Sequence, residues 1–301
     1  MRNLEVKMAG VFEINTYDEI ICDADEVLSW LKSLRVNVTD SRLVDYRETV
    51  RILNDTVKKR MIAQAQGTPT FIEVCDSFFE LSIISSIHKQ LKDEKAYPPI
   101  RRLRLVTKGP FLSLDEKKSD PNRQARDFQF ELLTLAMMKK QGMVYEPLLA
   151  NTDVSGIFEE RPIIMECKRL WSVKRVEENI QTGISQLIVK LNQLPDKSRP
   201  IGLLGLDFTR IETPPGYLLE CVSQGEIEKR LGAIAEKYLR YYEYCWSETL
   251  DIRFIAVVAY IGATVALQER PWLSTGHEFV TMNRRVVNST NFQFLTRLFR
   301  S

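Results

Sequence analysis

The segment from residue 152 to 168, TDVSGIFEERPIIMECK, constrains the fold more than any other part of the chain. Apolar residues fill its two halves around a polar centre at 159–160, so the segment is predicted to be a β-hairpin. Antiparallel pairing around that turn places Asp153 directly opposite Glu166, on the same face of the sheet. Lys168 follows Glu166 by two positions and therefore projects from that face as well.

Two carboxylates that face each other across a sheet repel and destabilise it, so Asp153 and Glu166 need a compensating charge. A divalent cation is one solution, because Mg²⁺ binds one or two carboxylates, keeps several waters and suits a phosphate-bearing substrate. The backbone carbonyl of Cys167 is the natural further ligand, since its side chain points to the opposite, apolar face. The alternative is an exposed salt-bridge cluster, in which Lys168 bridges the two acids and contributes little to stability.

The composition narrows the function by exclusion. Lys and Arg number 42 against 40 Asp and Glu, so nucleic-acid binding would depend on a local basic patch and not on overall charge. The five cysteines never show CxxC spacing, which argues against a zinc site or a disulfide framework. Without a signal peptide at the N-terminus, a reducing cytoplasm is the predicted location. The apolar run 254–267 is too short to cross a bilayer and is predicted to be a buried strand, so no membrane partner is expected.

Residues 1–96 are predicted to be a mostly helical region that serves recognition of a substrate or a partner. The spacing of apolar residues and the helix-capping signals indicate three helices, over 16–34, 41–60 and 69–91.

Residues 97–119 are predicted to be a basic linker or extended arm with one short strand at 103–106. Several cations here, and two more at the start of a later helix, are candidates for contact with nucleic-acid phosphates. They are Arg101, Arg102, Arg104, Lys108, Lys174 and Arg175. A solvated connector is the alternative interpretation of the arm.

Residues 120–301 are predicted to form one α/β domain. Asp120 and Pro121 carry the signature of a helix start, and this helix is expected to reach Lys140 with Glu131 in a largely apolar setting. Further elements are predicted along the chain: strand 143–149, the hairpin, helix 173–194, strand 201–208, helix 224–249, strand 251–267, strand 278–282 and a closing helix from 289. This order predicts a three-layer α/β/α sandwich around a central mixed β-sheet, preceded by the helical region.

The succession of a helix with Glu131, then Asp153, then Glu166-Cys167-Lys168 and a helix with glutamines resembles the catalytic core of the PD-(D/E)XK nuclease superfamily. The resemblance covers residues 120–208 and implies the restriction-endonuclease-like fold. It also implies a Mg²⁺-dependent nuclease, with Mn²⁺ able to substitute, that hydrolyses phosphodiester bonds in DNA. Similar nucleases work in defence, recombination or repair assemblies, so a separate helicase or ATPase is an implied partner.

The resemblance also assigns roles to residues. Asp153 and Glu166 would hold the metal, Lys168 would serve the hydrolytic water, and Glu131 would complete the metal shell. Lys168 lies between two carboxylates that favour its charged form, so we expect it to position the water or stabilise the phosphorane and not to act as a general base.

Two details of the match concern neighbouring positions. Some branches of the superfamily use a glutamine on the following helix, for which Gln181 and Gln186 are both candidates, with Gln186 better placed. The chain has Thr152 where the motif's proline stands, which lowers the specificity of the match. The motif gains weight from its context of apolar flanks, preceding helix and following helix and strand.

Other chemistries find little support in the sequence. It has no GxxxxGK[ST] or GxGxxG motif, and His277-Glu278 lacks the second histidine of a zincin. A Ser or Cys hydrolase would need His88 or His277 as its base. A nuclease is therefore the main hypothesis, and a homodimer would suit cleavage of both strands. The alternative is a nucleic-acid-binding or assembly module that keeps the fold and is catalytically silent or activated by a partner.

Overall fold

The computed structural model describes residues 5–7, 11–13, 16–58, 69–94, 97–116, 124–268, 270, 273–283 and 289–299. The helices in these ranges are α1 (Tyr17–Ser33), α2 (Arg42–Lys58), α3 (Phe71–Leu91), α4 (Tyr97–Val106), α5 (Ala125–Lys140), α6 (Val176–Leu191), α7 (Thr209–Glu212), α8 (Gln224–Tyr241), α9 (Tyr244–Ser247) and α10 (Ser289–Leu298). The strands are β1 (Glu5–Lys7), β2 (Val11–Glu13), β3 (Val144–Tyr145), β4 (Val154–Phe158), β5 (Arg161–Arg169), β6 (Ile201–Asp207), β7 (Leu218–Cys221), β8 (Phe254–Leu267) and β9 (Leu273–Asn283).

The strands of the described residues form one mixed sheet in the order β1-β9-β8-β6-β5-β4-β3. In addition, β2 pairs with β9 and β7 pairs with β8. The neighbours β5, β6 and β8 run parallel, whereas β4 and β5 and likewise β8 and β9 run antiparallel. The predicted mixed α/β fold with helices ahead of the sheet is confirmed. The predicted three-layer sandwich is not, because the sheet curls into a half-barrel.

The hairpin of β4 and β5 has the predicted register. Val154 pairs with Met165, so the next pair outward along the same ladder is Asp153 and Glu166. The turn residues Glu159 and Glu160 have φ values of 48° and 63°. Positive φ at both central residues is the type I′ geometry, whose twist matches that of the flanking strands. The turn therefore fixes which residues of β5 share a face with Asp153.

Helices cover both faces of the sheet around β5. Ile163, Met165 and Cys167 pack into a core that also contains buried residues of α1 to α5. Ile164 faces the other way, into a second core shared with α6 and α8. Because side chains alternate along a strand, Glu166 lies on the α6 side, together with Lys168.

The prediction of an extended basic arm with a strand at 103–106 is wrong, because residues 97–106 form α4. Two prolines lie in the first turn of this helix. They are compatible with it, since amide hydrogens at a helix start have no intrahelical acceptor to lose. Leu103 and Val106 are both buried, and their spacing of three places them on one helical face. Short apolar runs beside prolines do not by themselves distinguish strand from helix.

Other predicted elements occur with shifted ends. The strand 143–149 is reduced to β3, helix 173–194 opens with a 3₁₀ turn before α6, and helix 224–249 is divided into α8 and α9. The predicted helix start at Asp120 and Pro121 lies outside the described residues, among which the helix begins at Ala125. Strands β1 and β2 were not predicted. The run 254–267 is the buried strand β8, as predicted. The division into 1–96, 97–119 and 120–301 stays a prediction.

A buried ionic network joins the N-terminal helices to the sheet. The Glu116 side chain is fully buried and meets three guanidinium groups, of Arg126 at 3.1 Å, Arg169 at 2.9 Å and Arg210 at 2.7 Å. Arg126 also contacts Glu80 of α3 at 2.5 Å. Loss of one cation would leave a buried carboxylate uncompensated, which is strongly destabilising. No helix of the described residues is long and apolar enough to cross a membrane.

Candidate active site

Three carboxylates from separate elements converge where β4 begins and β5 ends. Glu131 lies on α5, Asp153 directly precedes β4, and Glu166 lies on β5. The Asp153 carboxylate accepts a hydrogen bond of 2.8 Å from the backbone amide of Cys167. Asp153 and Glu166 both act electrostatically on Glu131, and Glu166 also acts on Asp153. The structure thus brings together the acids that the sequence pattern singled out.

Burial and mutual repulsion disturb the ionisation of two of these acids. Burial, followed by the charge of Glu166, raises the pKa of Asp153 to about 6. Burial, followed by the charge of Asp153, raises the pKa of Glu131 well above its usual range. In both acids burial disfavours the ionised form, and the charge of a neighbouring carboxylate adds to the effect.

Arg102, which was predicted to contact nucleic-acid phosphate, instead enters the site from α4. Its guanidinium donates hydrogen bonds to the backbone carbonyls of Thr152 and Asp153, the latter at 2.6 Å. Its Nε lies 2.7 Å from Glu131 Oε2 in an ion pair. That oxygen is buried and has no partner with hydrogen-bond geometry in the described residues. Arg102 therefore fixes the chain before β4 and only partly compensates Glu131.

Glu166 is held by two lysines, one on each carboxylate oxygen. Lys168 Nζ lies 3.0 Å from Oε1, and Lys190 Nζ contacts Oε2. Lys168 also donates to Oε1 of Gln186 on α6 at 2.5 Å. The helix approaches closely at Gly183, where a Cβ would lie 3.3 Å from Lys168 Cγ. The stem of Lys168 is therefore clamped between the strand and the helix.

The structure distinguishes the two glutamines that the sequence left as candidates. Gln186 contacts Lys168, whereas Gln181 donates to the backbone carbonyl of Cys245 at 2.8 Å and lies outside the site. Lys190 was missed by the sequence analysis. Its signal was the spacing of four from Gln186, which places both side chains on the same face of α6.

The Cys167 backbone faces the acids, but its thiol does not. The N–H and C=O of one strand residue point to the same side, so the carbonyl faces the side on which Asp153 lies. The thiol is on the opposite face, packed against α5 and 3.4 Å from the position of a Cβ at Gly205. Burial, followed by the nearby charge of Asp153, raises the pKa of the Cys167 thiol well above its usual range. A thiolate ligand is therefore disfavoured, and the carbonyl is the group that could contact a metal.

The remaining basic residues proposed for nucleic-acid contact are exposed. Arg101, Arg104 and Lys108 lie along the outer side of α4 and the turn that follows it, at helical spacing. Arg104 and Lys108 also line a groove of about 530 Å³, together with Arg35. Lys174 and Arg175 are exposed in the 3₁₀ turn before α6. Because Arg102 reaches the acids from the same helix, α4 connects the exposed Arg101, Arg104 and Lys108 with the site.

The buried Ser82, His277 and Tyr260 do not form a hydrolase site. Ser82 Oγ donates its single proton to the Phe79 carbonyl at 2.7 Å, so His277 Nε2, 2.8 Å away, must be the donor to Ser82. Nδ1 then accepts from the Tyr260 hydroxyl at 2.8 Å. An imidazole that donates to a serine cannot take its proton. Burial also lowers the pKa of His277 to about 4.

The donor set at the three carboxylates fits a hard divalent cation that retains water. No group of three or more His, Cys, Asp and Glu side chains arranged to hold a metal occurs in the described residues. Mg²⁺ needs fewer protein ligands, since it is typically bound by one or two carboxylates with water and substrate phosphate. Asp153 and Glu166 could supply the two carboxylates, and the buried Glu131 Oε2, which lacks a partner with hydrogen-bond geometry among the described residues, could accept from a metal-bound water.

Comparison of the chain with protein-family models, with curated proteins and with solved structures found no match.

Proposed function

We propose that this protein is a metal-dependent nuclease that hydrolyses phosphodiester bonds, with DNA as the first substrate to test. The observation that carries the proposal is the convergence of Glu131, Asp153 and Glu166 beside Lys168, with raised pKa values at the first two acids. The resemblance to the PD-(D/E)XK superfamily supports the same function. We also propose that the protein has the layered arrangement of that superfamily, with α5 on one face of β5 and α6 on the other.

Asp153 and Glu166 would hold Mg²⁺, or Mn²⁺ in its place, with the Cys167 carbonyl and Glu131 on its periphery. When bound, the ion would supply an activated water and offset charge that develops on the phosphate.

Lys168 has the geometry of a positioning group. An ammonium has three N–H donors and no acceptor, and two of the donors are directed at Glu166 and Gln186. The third donor is available for the attacking water or a non-bridging phosphate oxygen. A charged ammonium cannot accept a proton, so Lys168 would orient the nucleophile and stabilise the phosphorane. Clamping by Gln186 and α6 fixes this donor before the substrate arrives.

The exposed cations would align the nucleic acid. Arg101, Arg104 and Lys108 present positive charge on α4, the helix whose Arg102 touches the carbonyl of Asp153. Contacts of this type bind the phosphate backbone without reading its sequence and weaken as salt concentration rises.

The test is cleavage of plasmid DNA, single-stranded DNA and RNA with Mg²⁺, with Mn²⁺ and with EDTA. We expect metal-dependent cleavage by the wild type and its loss in Glu166→Ala and Lys168→Ala, with unfolding transitions confirming that both variants fold. Lys229→Met, on the exposed surface of α8, is the matched control and should cleave like the wild type. Undiminished cleavage by either site variant would overturn the proposal.

One observation favours the alternative, a binding or assembly module that is catalytically silent or activated by a partner. Both oxygens of Glu166 already contact ammonium groups, which compete with a metal. Binding of nucleic acid without cleavage under every metal condition would support this second function. A homodimer and a separate helicase or ATPase partner stay predictions.

A further inference from the structure

The protein itself supplies as many cationic side chains to the site as acidic ones. Three carboxylates, of Glu131, Asp153 and Glu166, are matched by three cationic side chains, of Arg102, Lys168 and Lys190. A divalent cation added to this arrangement would leave two excess positive charges in a largely buried place. Such an excess is unfavourable because charges in a low-dielectric setting interact strongly. Metal binding therefore requires that a protein cation leaves or that a substrate anion enters.

Two of the three cations are anchored by contacts other than the acids. Arg102 donates to two backbone carbonyls, and Lys168 donates to Gln186 beneath the close packing at Gly183. In contrast, Glu166 is the only hydrogen-bond partner of the Lys190 ammonium among the described residues. Lys190 also stands at the end of a flexible stem on the last turn of α6. It is the cation that can leave at the lowest cost.

We propose that Lys190 competes with the metal ion for Glu166. A substrate phosphate ends this competition by accepting a hydrogen bond from the Lys190 ammonium in place of Glu166. This inference rests on the proposed function and adds a regulation of the same site. Lys190 in place holds Glu166 away from the metal, so the free protein binds Mg²⁺ or Mn²⁺ weakly. When a nucleic-acid phosphate enters, it provides the negative charge that a bound metal needs and a new partner for Lys190. Metal and nucleic acid consequently bind with positive cooperativity, each raising the affinity for the other by the same factor.

The test measures binding of Mn²⁺ alone to the whole protein by equilibrium dialysis, with no substrate turnover involved. Lys190→Met keeps the length of the side chain and removes its charge. We expect this variant to bind Mn²⁺ at least about tenfold more tightly than the wild type, because the positive charge that competes with Mn²⁺ for Glu166 is gone. Lys229→Met, on the exposed surface of α8, is the matched control and should bind Mn²⁺ as the wild type does.

A second measurement tests the cooperativity. A short DNA duplex, shown by gel to remain intact during dialysis in the cold, should tighten Mn²⁺ binding by the wild type. The same duplex should have a much smaller effect on Lys190→Met, whose Glu166 is already accessible. In EDTA the variant should also unfold at a lower urea concentration, and Mn²⁺ should restore more stability to it than to the wild type. That comparison shows whether the variant folds.

The outcomes separate this inference from the proposed function. Mn²⁺ binding that Asp153→Asn abolishes, but that Lys190→Met leaves equal or weaker, would overturn the competition and leave the metal site intact. Absence of Mn²⁺ binding in wild type, Lys190→Met and Lys190→Gln alike, both without and with the duplex, would overturn both proposals. Lys190→Gln retains a hydrogen-bond donor without the charge, so tight Mn²⁺ binding by Lys190→Met alone would assign the competition to the hydrogen bond and contradict the charge argument.

Discussion

Replacing Asp153 by asparagine is expected to stabilise the metal-free protein at neutral pH, although the same change should destroy its proposed metal site. The reason is the cost of an ionised carboxylate in this place. Asp153 is buried beside Glu166, and the two charges repel. Asparagine has nearly the same shape, and its side-chain oxygen can still accept the hydrogen bond from the Cys167 amide. The substitution therefore removes a charge and keeps the local geometry.

The magnitude follows from the ionisation of Asp153. Its pKa is 3.8 in an unfolded chain and about 6 in the folded protein, and each pKa unit corresponds to about 1.4 kcal/mol. A carboxyl group whose pKa is raised by folding favours the folded state fully below pH 3.8, and this advantage is lost as pH rises through 6. At pH 8 the ionised Asp153 thus costs at most about 3 kcal/mol, because its remaining exposure reduces the effect.

The assay is urea unfolding in EDTA at pH 8 and at pH 4. At pH 8 we expect Asp153→Asn to exceed the wild type in free energy of unfolding, and at pH 4 the difference should vanish. Asp115→Asn, an exposed acid exchanged in the same way, is the control. A variant that is less stable than the wild type at pH 8, or that differs from it equally at both pH values, refutes the reasoning.

The same pair of proteins also responds to metal in opposite ways. Saturating Mg²⁺ should raise the unfolding midpoint of the wild type, since a ligand bound only to the folded state stabilises it. Asp153→Asn should show no such rise. An equal rise in the unfolding midpoint of both proteins would show that Mg²⁺ binds somewhere other than Asp153.

Three further predictions concern stability. Burial lowers the pKa of His277 from 6.5 to about 4, so on acidification the unfolded chain takes up a proton before the folded protein does. The free energy of unfolding should therefore drop by about 3 kcal/mol between pH 6.5 and pH 4. Urea titrations of His277→Gln should lack this dependence on pH. Arg126→Met should cost about 3 to 5 kcal/mol by chemical unfolding, because Glu80 loses its closest cation, and a loss under about 1 kcal/mol would contradict this. Gly156→Ala would place a Cβ 2.5 Å from the Val144 carbonyl. The free energy of unfolding should therefore fall by about 1 to 3 kcal/mol, and the paired strands β3 and β4 should lose amide-exchange protection.

The hairpin was predictable from sequence because its signals are local and agree with one another. A polar pair between apolar halves fixes the turn, and the period of two along each strand fixes the faces. The confirmed pairing of Val154 with Met165 follows from those rules alone. Strand β8 was predictable for a similar reason, since a long apolar and β-branched run is stable only when buried.

The partners supplied by distant segments were not predictable in the same way. Arg102 was assigned to solvent and phosphate because its neighbours in sequence are basic, but α4 turns it towards two backbone carbonyls across the fold. Lys190 was overlooked because a lysine on a helix usually faces solvent, and only the packing of α6 on β5 brings it to Glu166. The curvature of the sheet likewise depends on the whole set of strands and not on any one of them.

The cluster around Glu116 has a consequence for the order in which the chain can fold. Its three guanidinium partners lie up to 94 positions further along the chain, and the last of them is Arg210. Before that residue leaves the ribosome, burial of Glu116 would leave its carboxylate without the full set of counter-charges. The segment that carries Glu116 should therefore remain open to proteases in nascent chains that end before residue 210. Closure of this cluster would mark the point at which the N-terminal helices and the sheet become one cooperative unit.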